Sequence, residues 1–395
     1  MALYAFDGTW NEAKQGEDPQ YSNTNVARFF AAYHRNSGTD DFYVAGVGTR
    51  YDVIGAALGG AFGLGVLPRL LEAYDHLCRS WVAGDTTIDI VGFSRGAATT
   101  LDFCNHLQKQ GIRRPGTGEL IEPEPRVRFL GVWDVVAAFG LANLGNTLLN
   151  IGHTLTLPSS GLRYCFHAMA LDERRPSFLP TRLPGASEVW FRGVHSDIGG
   201  GNGNRGLNDI ALKWMMSKAK AASLPITDAD IAALRPDAGA QPKLERLPLE
   251  LRLVSAVDRR HYTVSPVRGG TMPPSTCSIE TADDEQHATE VGSSGIVVLA
   301  PDARARIAEL WQVAETIARD NEFNLDQVRD ALLTLLQGRI VLVTTDAQMA
   351  AARQAVARLM TVAVHGAQER GFHVLSEFFF NEALFKLPRM FPLTD

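Results

Sequence analysis

"TIDIVGFSRGAATTLDF", residues 87–103, decides the fold. Its first half is apolar and rich in β-branched residues, and its second half holds small helix formers. Between them stands Gly92-Phe93-Ser94-Arg95-Gly96. Glycine two places before and two places after a serine is what a very tight strand-to-helix turn needs, and such a turn lifts the serine hydroxyl clear of the sheet. A serine at an ordinary helix N-cap, flanked by incidental glycines, would give the same letters. The strand pattern before the serine and the helical pattern after it favour the tight turn.

Outward from that turn, strand-like and helix-like segments alternate over the first two hundred residues. Strands are predicted at 3–6, 42–48, 87–93, 127–133 and 188–194, and helices at 23–36, 68–84 (opening on Pro68), 95–111 and 207–222. "RYCFHAMALDERR", residues 163–175, also reads as helical, which makes His167 structural. Alternation of this kind predicts an α/β fold, a mainly parallel sheet with helices on both faces. Sites on such sheets form beyond the carboxyl ends of the strands. The segments past those ends carry Asp7-Gly8-Thr9, Ser94-Arg95-Gly96, Asp134-Val135 and His195-Ser196-Asp197.

A serine hydroxyl needs a base to act as a nucleophile. In chain order Ser94 is followed by Asp134 and His195, the order of the α/β hydrolases. His195 would take the serine proton, and Asp134 would fix the imidazole tautomer. Asp197 competes with Asp134 as the acid, but neighbours in one loop rarely face each other well. The oxyanion donors are expected from the N–H groups of Gly8 or Thr9 and of Arg95. Residues 135–157, nearly uncharged, are expected to wall or cover an acyl site through Phe139, Leu141 and Leu144; a helix buried on the sheet is the competing reading.

The bulk properties narrow the function. The 395 residues are 45% hydrophobic, enough for a sizeable core. The net charge of −6, with no long basic block, argues against nucleic acid as a partner. Cys78, Cys104, Cys165 and Cys277 are scattered, which fits a reduced compartment and gives no zinc signature. No signal-peptide pattern opens the sequence, and the apolar stretch 53–67 is too short to span a bilayer. The expectation is a cytoplasmic protein at synthesis, with signal-independent export open to it. No metal or other cofactor is implied.

Three regions are expected: a catalytic core over 1–225, a mixed loop and strand excursion over 226–300, and a mostly helical region over 301–395 packed on the core.

"FDGTWN", "GFSRGA", "GVWDVV", "HAMALDERR" and "EVWFRGVHSDIGGG" follow one another over residues 1–215. Together they resemble the α/β hydrolase domain shared with type VI secretion phospholipase effectors. The resemblance implies an α/β-hydrolase core, serine esterase, lipase or phospholipase activity, and a triad matching Ser94, Asp134 and His195. The expected partner is an acyl ester or phospholipid substrate, with contact to a membrane surface. Two other classes remain beside it: a metal- or phosphate-dependent hydrolase using Asp7, Asp197 and Asp209, and a catalytically inactive hydrolase fold serving as an interaction module.

Overall fold

The computed structural model describes residues 1–8, 23–46, 62–136 (backbone alone over 62–66), 156–158, 160–175, 178, 180–183, 185–244, 252, 254 and 258–291. The expected helical region 301–395 lies outside the described residues, as do Thr9, Phe139, Leu141 and Leu144.

In chain order the elements are β1 Ala2–Phe6, α1 Asn25–Ser37, β2 Phe42–Val44, α2 Phe62–Val82, β3 Ile88–Phe93, α3 Ser94–Gln110, β4 Ile112–Arg113, β5 Leu120–Glu122, β6 Val127–Trp133, β7 Leu162–Ala170, β8 Ser187–Phe191, α4 His195–Gly199, α5 Arg205–Ala221, α6 Asp228–Ala232, β9 Arg259–His261 and β10 Ser278–Glu280. Eight strands form one sheet in the order β10-β9-β8-β7-β6-β3-β1-β2. Every pairing within it is parallel. β4 and β5 make a separate small antiparallel pair. This is the expected α/β-hydrolase-like class.

The alternation along each strand sorts side chains into two apolar layers. Tyr4, Phe6, Ile88, Ile90, Leu130 and Val132 pack with α2 and α3 on one face. Leu3, Ala5, Val91, Phe93, Phe129 and Trp133 pack with α1 and α5 on the other. With both faces covered, the central strands are buried almost throughout, so the carboxyl edge is where polar chemistry can sit.

Two elements differ from the sequence expectation. Residues 162–170 are the strand β7, not a helix. The run Tyr164–Ala170 is buried at every position, so it lacks the period-two signal that marks a half-exposed strand. Helix α2 begins at Phe62 and carries Pro68 inside it, not at its first turn. The apolar run before the proline continues the helix, and the ring removes one backbone hydrogen bond there.

The sheet also extends past residue 225, because β9 pairs with β8 through Arg259 and Arg260, and β10 pairs with β9.

Candidate active site

Ser94 occupies the junction of β3 and α3 with φ at 58°, a left-handed conformation that is costly for a residue with a side chain. The flanking glycines make that turn possible. A Cβ at Gly92 would lie 2.6 Å from Thr100 Cγ2 and 2.8 Å from Ala97 Cα. At Gly96 it would lie 2.4 Å from the carbonyl oxygens of both Phe6 and Asp7. Any larger residue would drive α3 away from β1 and dissolve the turn.

His195 opens the short helix α4 just beyond β8. Its Nε2 is 2.8 Å from Ser94 Oγ and its Nδ1 is 2.6 Å from Asp134 Oδ2. Asp134 follows β6, also at positive φ (42°), and Ala170 N–H at the end of β7 donates to its Oδ1 at 2.9 Å. Three separate strand ends thus bring a hydroxyl, an imidazole and a carboxylate into one hydrogen-bonded row. Asp197 takes no part in it. Its carboxylate accepts from Val194 N–H and from the amides of Asn202 and Asn204, which ties down the turn carrying His195.

The electrostatics fit a base held neutral. Burial lowers the pKa of His195 below its ordinary value, and although Asp134 pulls it back up, the net direction is down. Burial alone would raise Asp134, but Arg252 and His195 outweigh it and hold the carboxyl well below its usual range. Phe93 and Phe178 enclose the imidazole at ring-centroid distances of 4.6 and 4.8 Å. Asp134 therefore stays ionised while the imidazole is unprotonated near neutral pH, its Nε2 lone pair directed at the serine hydroxyl.

Around this row stand Arg252 and Glu173, which the sequence did not flag, and His167, which it marked as structural. The Arg252 side chain is 1% exposed and grips Asp134 at both oxygens, Nη1 to Oδ1 at 2.5 Å and Nη2 to Oδ2 at 2.9 Å. Glu173 accepts the His195 backbone N–H at 3.1 Å and is itself held by Arg175. Burial pushes Glu173 up, but the Arg175 bonds bring it down to about 2. His167, in β7, accepts the Val135 N–H at Nε2 and donates from Nδ1 to Glu188, bracing the residue next to Asp134. No spacing rule connects any of these to the site. His167, Glu173 and Arg175 do fall inside "HAMALDERR", the one signal that could have drawn attention to them.

The expected oxyanion region is partly in view. Arg95 stands in the first turn of α3, at the positive end of its helix dipole. Gly8 N–H, in contrast, donates to its own neighbour, Asp7 Oδ1, at 2.7 Å. Asp7 also accepts from Thr24 and Tyr43 hydroxyls, and burial raises its pKa to about 6. Phe6, Asp7, Val44, Arg69, Arg95 and Thr99 line a pocket beside the serine turn.

The acidic trio Asp7, Asp197 and Asp209 does not converge. Asp209 is bound by Arg28 and Arg205, away from the other two sets of partners. Among the described residues no group of three or more His, Cys, Asp or Glu side chains could hold a metal ion. No helix among them is long and apolar enough to cross a membrane.

A family model described as the catalytic domain of Tle1-like phospholipase effectors of the type VI secretion system matches residues 3–123 and 112–218, more than half of the chain. No curated protein matches the sequence significantly. Among solved structures, an uncharacterized protein from Pseudomonas aeruginosa is similar at 19% identity with a TM-score of 0.38. That similarity covers 95% of this chain and 63% of the other, so the chain spans under two thirds of that protein's length.

Proposed function

Because the chain belongs to the family of Tle1-like phospholipase effector catalytic domains of the type VI secretion system, we propose that it hydrolyses acyl esters of phospholipids through Ser94, His195 and Asp134. Family membership supports lipid-ester hydrolysis in general. The observation that carries the serine mechanism is the 2.8 Å contact of Ser94 Oγ with His195 Nε2, made from a serine held at positive φ on a tight turn.

The reaction runs in two halves. Ser94 Oγ attacks the acyl carbonyl carbon while its proton passes to His195 Nε2. The Arg95 N–H and the dipole of α3 stabilise the charge that develops on the carbonyl oxygen. Gly8 N–H serves as a second donor once it turns from Asp7 Oδ1. Collapse breaks the ester C–O bond, and the leaving alkoxide takes the proton from His195. Water, deprotonated by the same imidazole, then attacks the acyl-serine carbonyl; the bond to Ser94 Oγ breaks, His195 returns the proton to Oγ, and the fatty acid is released. Asp134 keeps Nδ1 protonated throughout and stabilises the imidazolium.

The experiment is a panel of glycerophospholipids and simple acyl esters given to the wild type and Ser94→Ala, with intact-mass analysis after fluorophosphonate treatment. The proposal expects fatty-acid release and a single adduct on Ser94, both lost in the variant. Turnover that survives Ser94→Ala, or an adduct elsewhere, would overturn it.

A further inference from the structure

Arg252 makes more contacts with the site than a structural strap would need. Its guanidinium is buried, forks onto both oxygens of Asp134, and donates to the carbonyls of Ala170 and Phe178. It comes from a part of the chain 118 residues beyond Asp134. The carboxylate did not need it for satisfaction, since Ala170 N–H and His195 Nδ1–H already occupy one oxygen each. What the arginine adds is a fixed positive charge one residue away from the imidazole, and a two-point fork that a single donor cannot supply.

We infer that Arg252 is a positioning residue: it locks the Asp134 carboxylate in the plane that His195 needs and opposes protonation of that imidazole. The inference rests on the reading of Ser94, His195 and Asp134 as the reacting set. A catalytic aspartate alone would draw the proton onto the histidine and hold the site in a dead, doubly protonated imidazolium form as the pH falls. With Arg252 on its other side, the carboxylate's charge is shared, and the histidine remains a free base to lower pH.

The other groups facing His195 do not supply this effect. Glu173, beyond β7, accepts the His195 backbone N–H and pulls toward protonation, but Arg175 compensates it. Asp172 beside it is committed to Arg192 and to the Gly193 N–H. Asp197, on the histidine's own helix, faces Val194 N–H and two asparagine amides. Ser94 is uncharged, and Phe93 and Phe178 are apolar walls. Arg252 is the buried cation in direct contact with the Asp134–His195 pair among the described residues. The directions agree with this account, since Arg252 lowers both groups while Asp134 raises His195.

The test compares Arg252→Gln, which keeps a donor and loses the charge, with Arg252→Lys, which keeps the charge and loses the fork. Two readouts are taken on the full chain: the acidic limb of kcat/KM on an acyl ester, and the NMR titration of the His195 imidazole in the Ser94→Ala background, assigned with His195→Ala. In Arg252→Gln both should move up by about one pH unit. In Arg252→Lys both should stay near the wild type while kcat falls about tenfold, the cost of a misoriented carboxylate. An unmoved titration in Arg252→Gln, or equal movement in both variants, overturns the inference. If Arg252→Gln does not fold, Arg252→Lys decides alone: an upward move of about a unit, or an unchanged kcat, overturns it. A wild type that neither turns over esters nor reacts with fluorophosphonate would sink the serine mechanism instead, and the imidazole titration would still report on Arg252.

Discussion

Two buried imidazoles in this molecule each stand between a hydroxyl and a carboxylate. His195 lies 2.8 Å from Ser94 Oγ and 2.6 Å from Asp134 Oδ2. His261, at the end of β9, lies 2.7 Å from Thr263 Oγ1 and 2.6 Å from Glu285 Oε1. Burial lowers the pKa of both. Both carboxylates also carry a cation, Arg252 on one and Lys213 on the other. Distances alone would make them twins. The difference lies in how the chain presents the hydroxyl. Ser94 is 101 residues from its histidine, lifted on a positive-φ turn at the start of a long helix. Thr263 is two residues from its histidine, and the next N–H, of Val264, is already spent on the His261 carbonyl. One set has a hydroxyl with a helix N-terminus behind it; the other is a satisfied turn that pins β9 against α5. A hydroxyl, an imidazole and a carboxylate become a candidate for chemistry only where the backbone also leaves room and N–H groups for a substrate.

The largest effect should separate the two hydroxyls. Ser94→Ala should lose on the order of 10⁴ to 10⁶ in kcat, while Thr263→Val should leave kcat unchanged. His195→Ala should match Ser94→Ala, and the double variant should be no worse than either, because residues that act as a unit do not add. Steady-state rates on one fluorogenic ester read all four. A comparable loss in Thr263→Val would erase the distinction.

The carboxylates should differ next, and in kind. Asp134→Asn should lose about 10⁴ in kcat through the wrong imidazole tautomer, beyond the stability it loses by leaving the buried Arg252 charge uncompensated. Glu285→Gln should keep kcat/KM and lose stability by about 2 kcal/mol, since the ion pair with the partly exposed Lys213 and the buried bond to His261 are both weakened. Denaturant melts and rates on the same preparations decide this. Asp197→Asn belongs with Glu285 here; if it cost more turnover than Asp134→Asn, the acid would have to be reassigned.

The sequence makes the sheet legible because its breakers and apolar runs are strong, and the candidate site because topology gathers strand ends at one edge. Ser94, Asp134 and His195 each follow a strand whose apolar run could be recognised. β7 reads as helix in the sequence because a strand buried on both faces has no alternation to show. Arg252 was invisible for another reason. It sits in "LELRLVSAV", a stretch whose pattern points to no site, and its meaning comes only from a contact across 118 residues. The same holds for His261: the letters "RRHYT" carry no hint that Glu285 closes on the ring. Local pattern encodes where strand ends lie, while charge pairing between distant segments is encoded only in the fold.

The smallest effect concerns a third buried carboxylate, and it tests whether a cation or a hydroxyl partner sets the behaviour of such a group. Asp134, gripped by Arg252, is held below its ordinary pKa. Among the described residues Asp7 is held by Thr24, Tyr43 and the Gly8 N–H, and burial wins, raising it to about 6. The two must therefore act on stability with opposite slopes. Asp134 stabilises the fold above its unfolded value, near 4, and that contribution is lost as the pH falls through its folded value. Asp7 favours the fold only below that unfolded value, and its contribution is lost as the pH rises through about 6. Asp7→Asn does not titrate, and its carbonyl can still accept the Gly8 N–H while the two hydroxyls rotate to suit the amide. Its stability relative to the wild type should rise between about pH 4 and pH 6 by on the order of 3 kcal/mol, then stay level. Melting both proteins at half-unit steps across that window measures the difference directly and cancels every other titrating group they share. A difference that stays flat from pH 4 to 7 would mean that the hydroxyls on Asp7 do for it what Arg252 does for Asp134.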